Sequence, residues 1–270
     1  MVLTAQREID DARLAAGCVV KVHRRLVDFL RPGLTLAEVD RFVAEQLDDL
    51  DCTSCFLRYR VRGHPPFPSH SCLSVNDCIV HGTHDMTQDP LDPGDLFSID
   101  IGVNHKGWIG DAAWTYGIEA VSEEAGSLMA CGRESLRRGI DAMQPERPLI
   151  DWAKAVESYV ENECRYHLAR GLGGHGYGKK LHEAPYISNT VPGYNGEWPE
   201  AWKPFRPGLL VAVEPMISTG TPEIRNEPNA WPIFTADGSL SVHYEADVLI
   251  TPDGPENLTG ELFDLPEIVG

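Results

Sequence analysis

Ala15, Cys18, Val19, Val22, Leu26 and Phe29 recur at the spacing of one helix face, and Pro32-Gly33 ends the pattern, so an amphipathic helix is predicted near the start of the chain. Thr35 followed by Glu38 is a capping-box signature, and Val39, Phe42, Val43 and Leu47 form the apolar stripe of a second helix. From Cys55 to about Ile118 the texture changes to short β-rich runs broken by Gly, Pro and Asn. The order then repeats. A helix is predicted from about Ser122 to Met143, a break falls at Pro145 and Pro148, and another helix passes through Trp152, Val156, Tyr159 and Val160. Strands follow at Leu209 to Glu214, around Trp231 to Phe234, and along the alternating segment from Leu240 to Ile250 after the Asp237-Gly238 turn. Helices then strands, twice over, predict an α+β fold in a single domain, with related halves at about residues 1–120 and 121–255 and a short tail over 256–270. The seam between such halves is a natural place for a site.

Within the β-rich region, Asp100 and Asp111 lie symmetrically about Asn104-His105-Lys106-Gly107, on runs built of Ile, Phe and Trp. If those runs pair as a hairpin, the two carboxylates face each other, and like charges so placed are destabilising unless something positive lies between them. A cation resolves the conflict, and further ligands are then expected. Glu214 ends a Val-rich run, and Glu245 lies inside Val242-His243-Tyr244-Glu245-Ala246. Strand carboxylates from both halves make an oxygen-rich cage suited to hard or borderline divalent ions. His175 sits in the glycine-rich segment Gly171 to Gly178, predicted as a loop, while His182 follows in Lys180-Leu181-His182-Glu183-Ala184-Pro185 and His81 in Val80-His81-Gly82.

The chain has 270 residues and a formal charge of −18, which argues against unaided binding to nucleic acid or to an anionic membrane; an RNA-rich partner would need a local patch. No segment has the run of about 18 apolar residues of a membrane span, and the acidic start lacks the pattern of a signal peptide. Seven cysteines at irregular spacing fit reduced thiols, so a cytoplasmic location is expected; Cys52-Thr53-Ser54-Cys55 is a lone C-x-x-C and a weak metal or redox signal.

Phe67-Pro68, Cys72-Leu73-Ser74-Val75-Asn76, His81-Gly82, Ser98-Ile99-Asp100-Ile101-Gly102, Gly110-Asp111, Gly174-His175-Gly176-Tyr177-Gly178, His182-Glu183-Ala184-Pro185, Val213-Glu214-Pro215-Met216 and Tyr244-Glu245 occur in an order and spacing that resembles the methionine aminopeptidases of the short bacterial type. The resemblance runs from about residue 5 to about residue 255 and implies the pita-bread fold, two pseudo-symmetric halves of helices packed on a curved antiparallel sheet. It implies two divalent metal ions (cobalt, manganese or iron, with zinc a further candidate) held by Asp100, Asp111, His175, Glu214 and Glu245. Glu214 would serve as general base, His182 would stabilise the oxyanion and His81 would contact the scissile amide nitrogen. Phe67, Cys72, Leu181 and Trp231 would line a slot for the methionine side chain; a three-residue Asp237-Gly238-Ser239 loop would set Trp231 directly opposite Glu245. The implied substrate is the N-terminal methionine of nascent polypeptides, handled by a monomer with transient ribosome contact.

The chain departs from the usual pattern at Thr83-His84, Ala112, Leu181 and Ala184, none of them a metal ligand; Ala112 lacks a hydroxyl that could support its neighbour's orientation. Alternatives are another pita-bread hydrolase, such as an Xaa-Pro aminopeptidase or dipeptidase, and a non-catalytic binding protein on the same scaffold. The former generally carry a separate N-terminal domain, for which this sequence leaves no room. The latter usually lose ligands, and none is missing.

Overall fold

The structure is a computed structural model describing residues 1–270. Helix α1 spans Gln6–Phe29 and α2 spans Leu36–Asp49. The predicted capping box on α2 forms, with Thr35 Oγ1 accepting from the Glu38 N–H at 3.3 Å and the Glu38 carboxylate accepting from the Thr35 N–H at 2.8 Å. Helix α1 starts earlier than its apolar stripe suggests because Glu8 reaches back to the Ala5 N–H and satisfies a donor at the first turn.

Both helices belong with a five-stranded sheet in which Cys52–Ser54, Leu96–His105, Trp108–Ile118 and Ile268–Val269 are consecutive neighbours and Cys72–Val75 also pairs with Leu96–His105. Residues 256–270, expected as a tail, are partly built into this sheet: Ile268 and Val269 pair in parallel with Gly117 and Ile118. Helix α1 lies across the Leu96–Ile118 hairpin, and its backbone comes close at Gly110. A Cβ at that position would stand 2.6 Å from the Ala15 carbonyl. Farther along α1, the buried His23 ring meets Tyr116 Oη at 3.0 Å and the Ala112 carbonyl at 3.3 Å. Burial lowers its pKa to about 4.

Helix α3, Glu123–Ala142, is capped by Ser122, and α4, Ile150–Glu157, runs on into a wider turn over Ser158–Cys164. They accompany a second five-stranded sheet in the order Gly254–Asn257, Ala246–Thr251, Leu210–Val213, Gly173–Gly176 and Glu183–Ser188. Two three-stranded sheets complete the fold: one holds His167–Leu168, Met216–Ser218 and Ser241–His243, the other Cys78–Val80, Ile224–Asn226 and Ile233–Thr235. The α+β class and the order of elements are as the periodicity predicts. No helix is long and apolar enough to cross a membrane.

Candidate metal centre

The hairpin forms, but in a register two residues away from direct opposition. Lys106 and Gly107, with φ of 53° and 87°, make a two-residue turn in which His105 pairs with Trp108, so Asp100 opposes Ala113 and Asp111 opposes Gly102. The two aspartates are therefore diagonal neighbours on one face of the hairpin. They still point to the same side.

The second sheet delivers its acids to that face. Glu214 follows the Leu210–Val213 strand, and Glu245 lies in the break between Ser241–His243 and Ala246–Thr251. That break interrupts the continuous strand predicted over Leu240 to Ile250, because the Glu245 N–H turns aside to donate to the Ala113 carbonyl at 2.9 Å. Beside it the Asp111 N–H donates to Asp247 Oδ2 at 2.9 Å, and Thr115 Oγ1 donates to the His243 carbonyl at 2.8 Å. The sheets thus meet through single polar bonds, and the acids gather along the seam. His175 is not on a loop: Gly173–Gly176 is a strand paired on both sides, with His175 opposite Tyr186 and Ala212. Gly174 allows this, since a Cβ there would stand 2.3 Å from the Ala212 carbonyl oxygen.

Ligand atoms of Asp111, His175 and Glu245 lie within 4.8 Å of one another, and Asp100 and Glu214 line the same cavity of about 140 Å³. Asp100, Asp111 and Glu245 expose only 8%, 3% and 2% of their surface, too little for water to solvate three charges. Burial pushes the Asp100 pKa up to about 7 and those of Asp111, Glu245 and Asp247 well above the carboxylate range; the carboxylates' mutual repulsion adds to this at Asp111 and Glu245. Asp100 Oδ1 and Asp111 Oδ1 are buried without a hydrogen-bond partner. Orphaned carboxylate oxygens in an all-acid and imidazole donor set are what a divalent cation satisfies, so these residues fit one. Ala112, the departure beside Asp111, is fully buried in the core, and the support for Asp111 comes from Asp247 instead.

All the residues expected in the side-chain slot and the two further histidines line this cavity: Phe67, Cys72, Leu181, Trp231, His81 and His182. Trp231 arrives by a route other than the one expected. Ile233–Thr235 pairs with Ile224–Asn226 and Cys78–Val80, not with the strand leading to Glu245, because the segment after Asp237-Gly238 joins a different sheet. Trp231 instead lies ahead of its strand, donates from Nε1 to the Pro65 carbonyl at 2.9 Å, and meets Phe67 edge-on at 5.2 Å. His81 has a left-handed backbone, φ 58°, at the end of Cys78–Val80, and burial lowers its pKa to about 4. His182, although an exposed side chain, is also lowered to about 4, by its partial desolvation and then by neighbouring His175, so both rings are neutral at pH 7.

The sequence reading missed Tyr59, whose hydroxyl lies 2.7 Å from His182 Nδ1, and His243, whose Nε2 lies 3.2 Å from Glu214 Oε2. For His243 a signal existed: residues 243, 245 and 247 share the parity of one strand face. Tyr59 carried none, since it sits in an irregular arginine-rich segment.

A buried carboxylate and imidazole cluster at the junction of two largely antiparallel sheets defines a metal-dependent hydrolase scaffold. The model of metallopeptidase family M24 matches residues 10–252, and the chain belongs to that family, whose pita-bread fold is the one described above. Relatives similar to it over nearly its whole length include methionine aminopeptidases. That of Clostridium perfringens is 35% identical, with 96% of this chain and 98% of the relative covered, and methionine aminopeptidase 1 of Mycobacterium tuberculosis is 37% identical, with 92% and 91% covered. The crystal structure of the Thermotoga maritima methionine aminopeptidase superimposes with a TM-score of 0.85 at 31% identity, covering 96% of this chain and 99% of that one. The chain is a metal-dependent aminopeptidase.

Proposed function

We propose that the protein removes the N-terminal methionine from nascent chains and peptides, as one catalytic unit over residues 1–270 that works as a cytoplasmic monomer in transient contact with the ribosome. The observation that carries this reading is the single cavity lined both by the acids and His175 and by Phe67, Cys72, Leu181 and Trp231. An aromatic and sulfur-bearing slot suits an unbranched, polarisable thioether side chain. The free thiol state of all seven cysteines fits a reducing compartment.

Two divalent ions, of manganese, iron, cobalt or zinc, would be held by Asp100, Asp111, His175, Glu214 and Glu245. When bound they supply Lewis acidity that makes a water nucleophilic near neutral pH. Glu214 accepts the proton of the attacking water, and His243 Nε2 lies 3.2 Å from its Oε2. Neutral His182 donates to the oxyanion that develops on the scissile carbonyl, and His81 contacts the scissile amide nitrogen. Asp111 and Glu245 hold their geometry through Asp247 and the Ala113 carbonyl.

The test incubates the protein with paired peptides, one beginning Met-Ala and the other Xaa-Pro, with each metal and with chelator. Free methionine released only from the first, and only with metal, is the expected result; cleavage of the Xaa-Pro peptide alone refutes the substrate class. Glu214→Ala and Asp111→Ala should each lose turnover by at least about 100-fold together with metal stoichiometry. Full activity in either variant overturns the assigned roles.

A further inference from the structure

At the mouth of the cleft the surface reverses the sign of the rest of the molecule. The chain carries −18, yet Arg58-Tyr59-Arg60-Val61-Arg62 puts three arginines on one loop whose other two residues, Tyr59 and Val61, line the cavity. The loop is a tight excursion: the Arg58 N–H donates to the Phe67 carbonyl at 2.8 Å, the Phe67 N–H returns to the Tyr59 carbonyl at 2.9 Å, and the His64 N–H closes the tip on the Val61 carbonyl at 3.1 Å. Alternate residues of the loop therefore serve the cavity wall and the solvent.

Arg58, Arg60 and Arg62 are exposed, and none makes an ion pair or a side-chain hydrogen bond. Elsewhere many exposed arginines are paired with carboxylates, as in Arg13 with Glu256, Arg137 with Glu134 and Arg170 with Glu161; Arg31, Arg41, Arg165 and Arg206 are not, but they stand singly rather than three on one loop. The loop across the mouth, joined to this one by the Tyr59–His182 hydrogen bond, adds Lys179 and Lys180, likewise exposed and without a carboxylate partner. Five cations thus lie on the two short segments, Arg58–Arg62 and Lys179–His182, that also supply Tyr59, Val61, Leu181 and His182 to the cavity holding the acids.

A peptide whose first residue occupies the cavity leaves across this rim. Extended chain advances about 3.3 Å per residue, so the residues just beyond the scissile bond pass the arginine loop. We propose that Arg58, Arg60 and Arg62 form a subsite for carboxylate side chains downstream of the cleaved residue, so that substrates with Asp or Glu at their third to fifth positions are preferred; this rests on the aminopeptidase reading above. A nucleic acid fits less well. The patch is five residues long, and a long polyanion docked on it would also meet the field of a strongly acidic surface.

The test uses the metal-loaded full chain with Met-Ala-Glu-Glu-Glu-Trp and Met-Ala-Gln-Gln-Gln-Trp and reads the ratio of their kcat/KM values. At about 20 mM salt the acidic peptide should be favoured about tenfold, falling toward parity at about 0.5 M salt. The R58Q/R60Q/R62Q variant should bring the low-salt ratio close to one, and R58K/R60K/R62K should keep it, since charge is what the subsite supplies. Single Arg→Gln variants, each losing part of the ratio, replace the triple variant if it does not fold. A ratio near one in the wild type, or one that survives the glutamine variant, overturns the proposal. So does parity between peptides combined with arginine-dependent binding of a labelled RNA hairpin. Failure to cleave either peptide is a different outcome, and it sinks the aminopeptidase reading underneath.

Discussion

His182 has to present a proton to the reacting carbonyl, and which of its nitrogens carries that proton is decided by Tyr59. A phenol is a better donor than acceptor. With Tyr59 Oη 2.7 Å from Nδ1, the hydroxyl donates there and leaves the proton of the neutral ring on Nε2. Partial desolvation and His175 keep the ring neutral, so the tautomer rather than the charge is what Tyr59 controls. Tyr59→Phe is expected to lower kcat about tenfold with little change in KM, because substrate still enters the cavity but finds the oxyanion donor correctly placed in only part of the population. Nitrogen-15 shifts of the His182 ring should move from the Nε2–H form toward a mixture. An unchanged kcat with unchanged shifts would show that the contact is ornamental. The contrast with the acids is instructive: Asp100 and Asp111 drew attention because paired buried carboxylates are costly without a cation, and the resemblance added His175, Glu214 and Glu245 to them, whereas a tyrosine between arginines looks like any exposed loop residue.

At the scale of elements, the periodicity of helices and strands was readable because burial enforces it, while register and strand partnership were not. Direct opposition of Asp100 and Asp111 assumed a four-residue connection; the chain closes it in two, with Lys106 taking a left-handed conformation that Asn or Gly adopts more readily. Trp231 was expected through a hairpin that does not exist, since Ile233–Thr235 and Ser241–His243 enter different sheets. A glycine-rich run reads as a loop by composition, yet Gly173–Gly176 is a strand whose glycines make room for neighbouring backbone. Gly110 follows the same logic and can be tested. Its Cα faces the Ala15 carbonyl, and strand and helix are both held by buried neighbours, so Gly110→Ala must push α1 away from the strand that bears Asp111. The expected loss is about 2–4 kcal/mol in chemical denaturation, together with weaker metal binding. A variant as stable as the parent, with the same metal affinity, would mean that α1 does not clamp this strand.

For the whole molecule, the consequence of the layout is that the seam between the sheets is also where its most costly charges lie. Asp100, Asp111, Glu245 and Asp247 come from both sheets, all are buried, and the bonds crossing beside them, such as Glu245 N–H to Ala113 O, are few. Without cations, burial raises the pKa values of the first three, and ionising them at neutral pH opposes closure of the seam. Cations bound there act in the opposite sense, and because the unfolded chain offers no such cage, their binding free energy adds to folding stability. At a free metal concentration about 100 times the dissociation constant the gain is about 2.7 kcal/mol, or a Tm rise of roughly 5–10 °C for a chain of this size. Chelation should therefore lower Tm by that amount at pH 7.5, and manganese, cobalt or iron should restore it. Asp111→Asn should lose the metal-dependent part of the shift while unfolding cooperatively, which separates a metal effect from general damage. A Tm that ignores both chelator and metal would mean that the acids are accommodated by protonation alone and that the seam does not depend on bound cations.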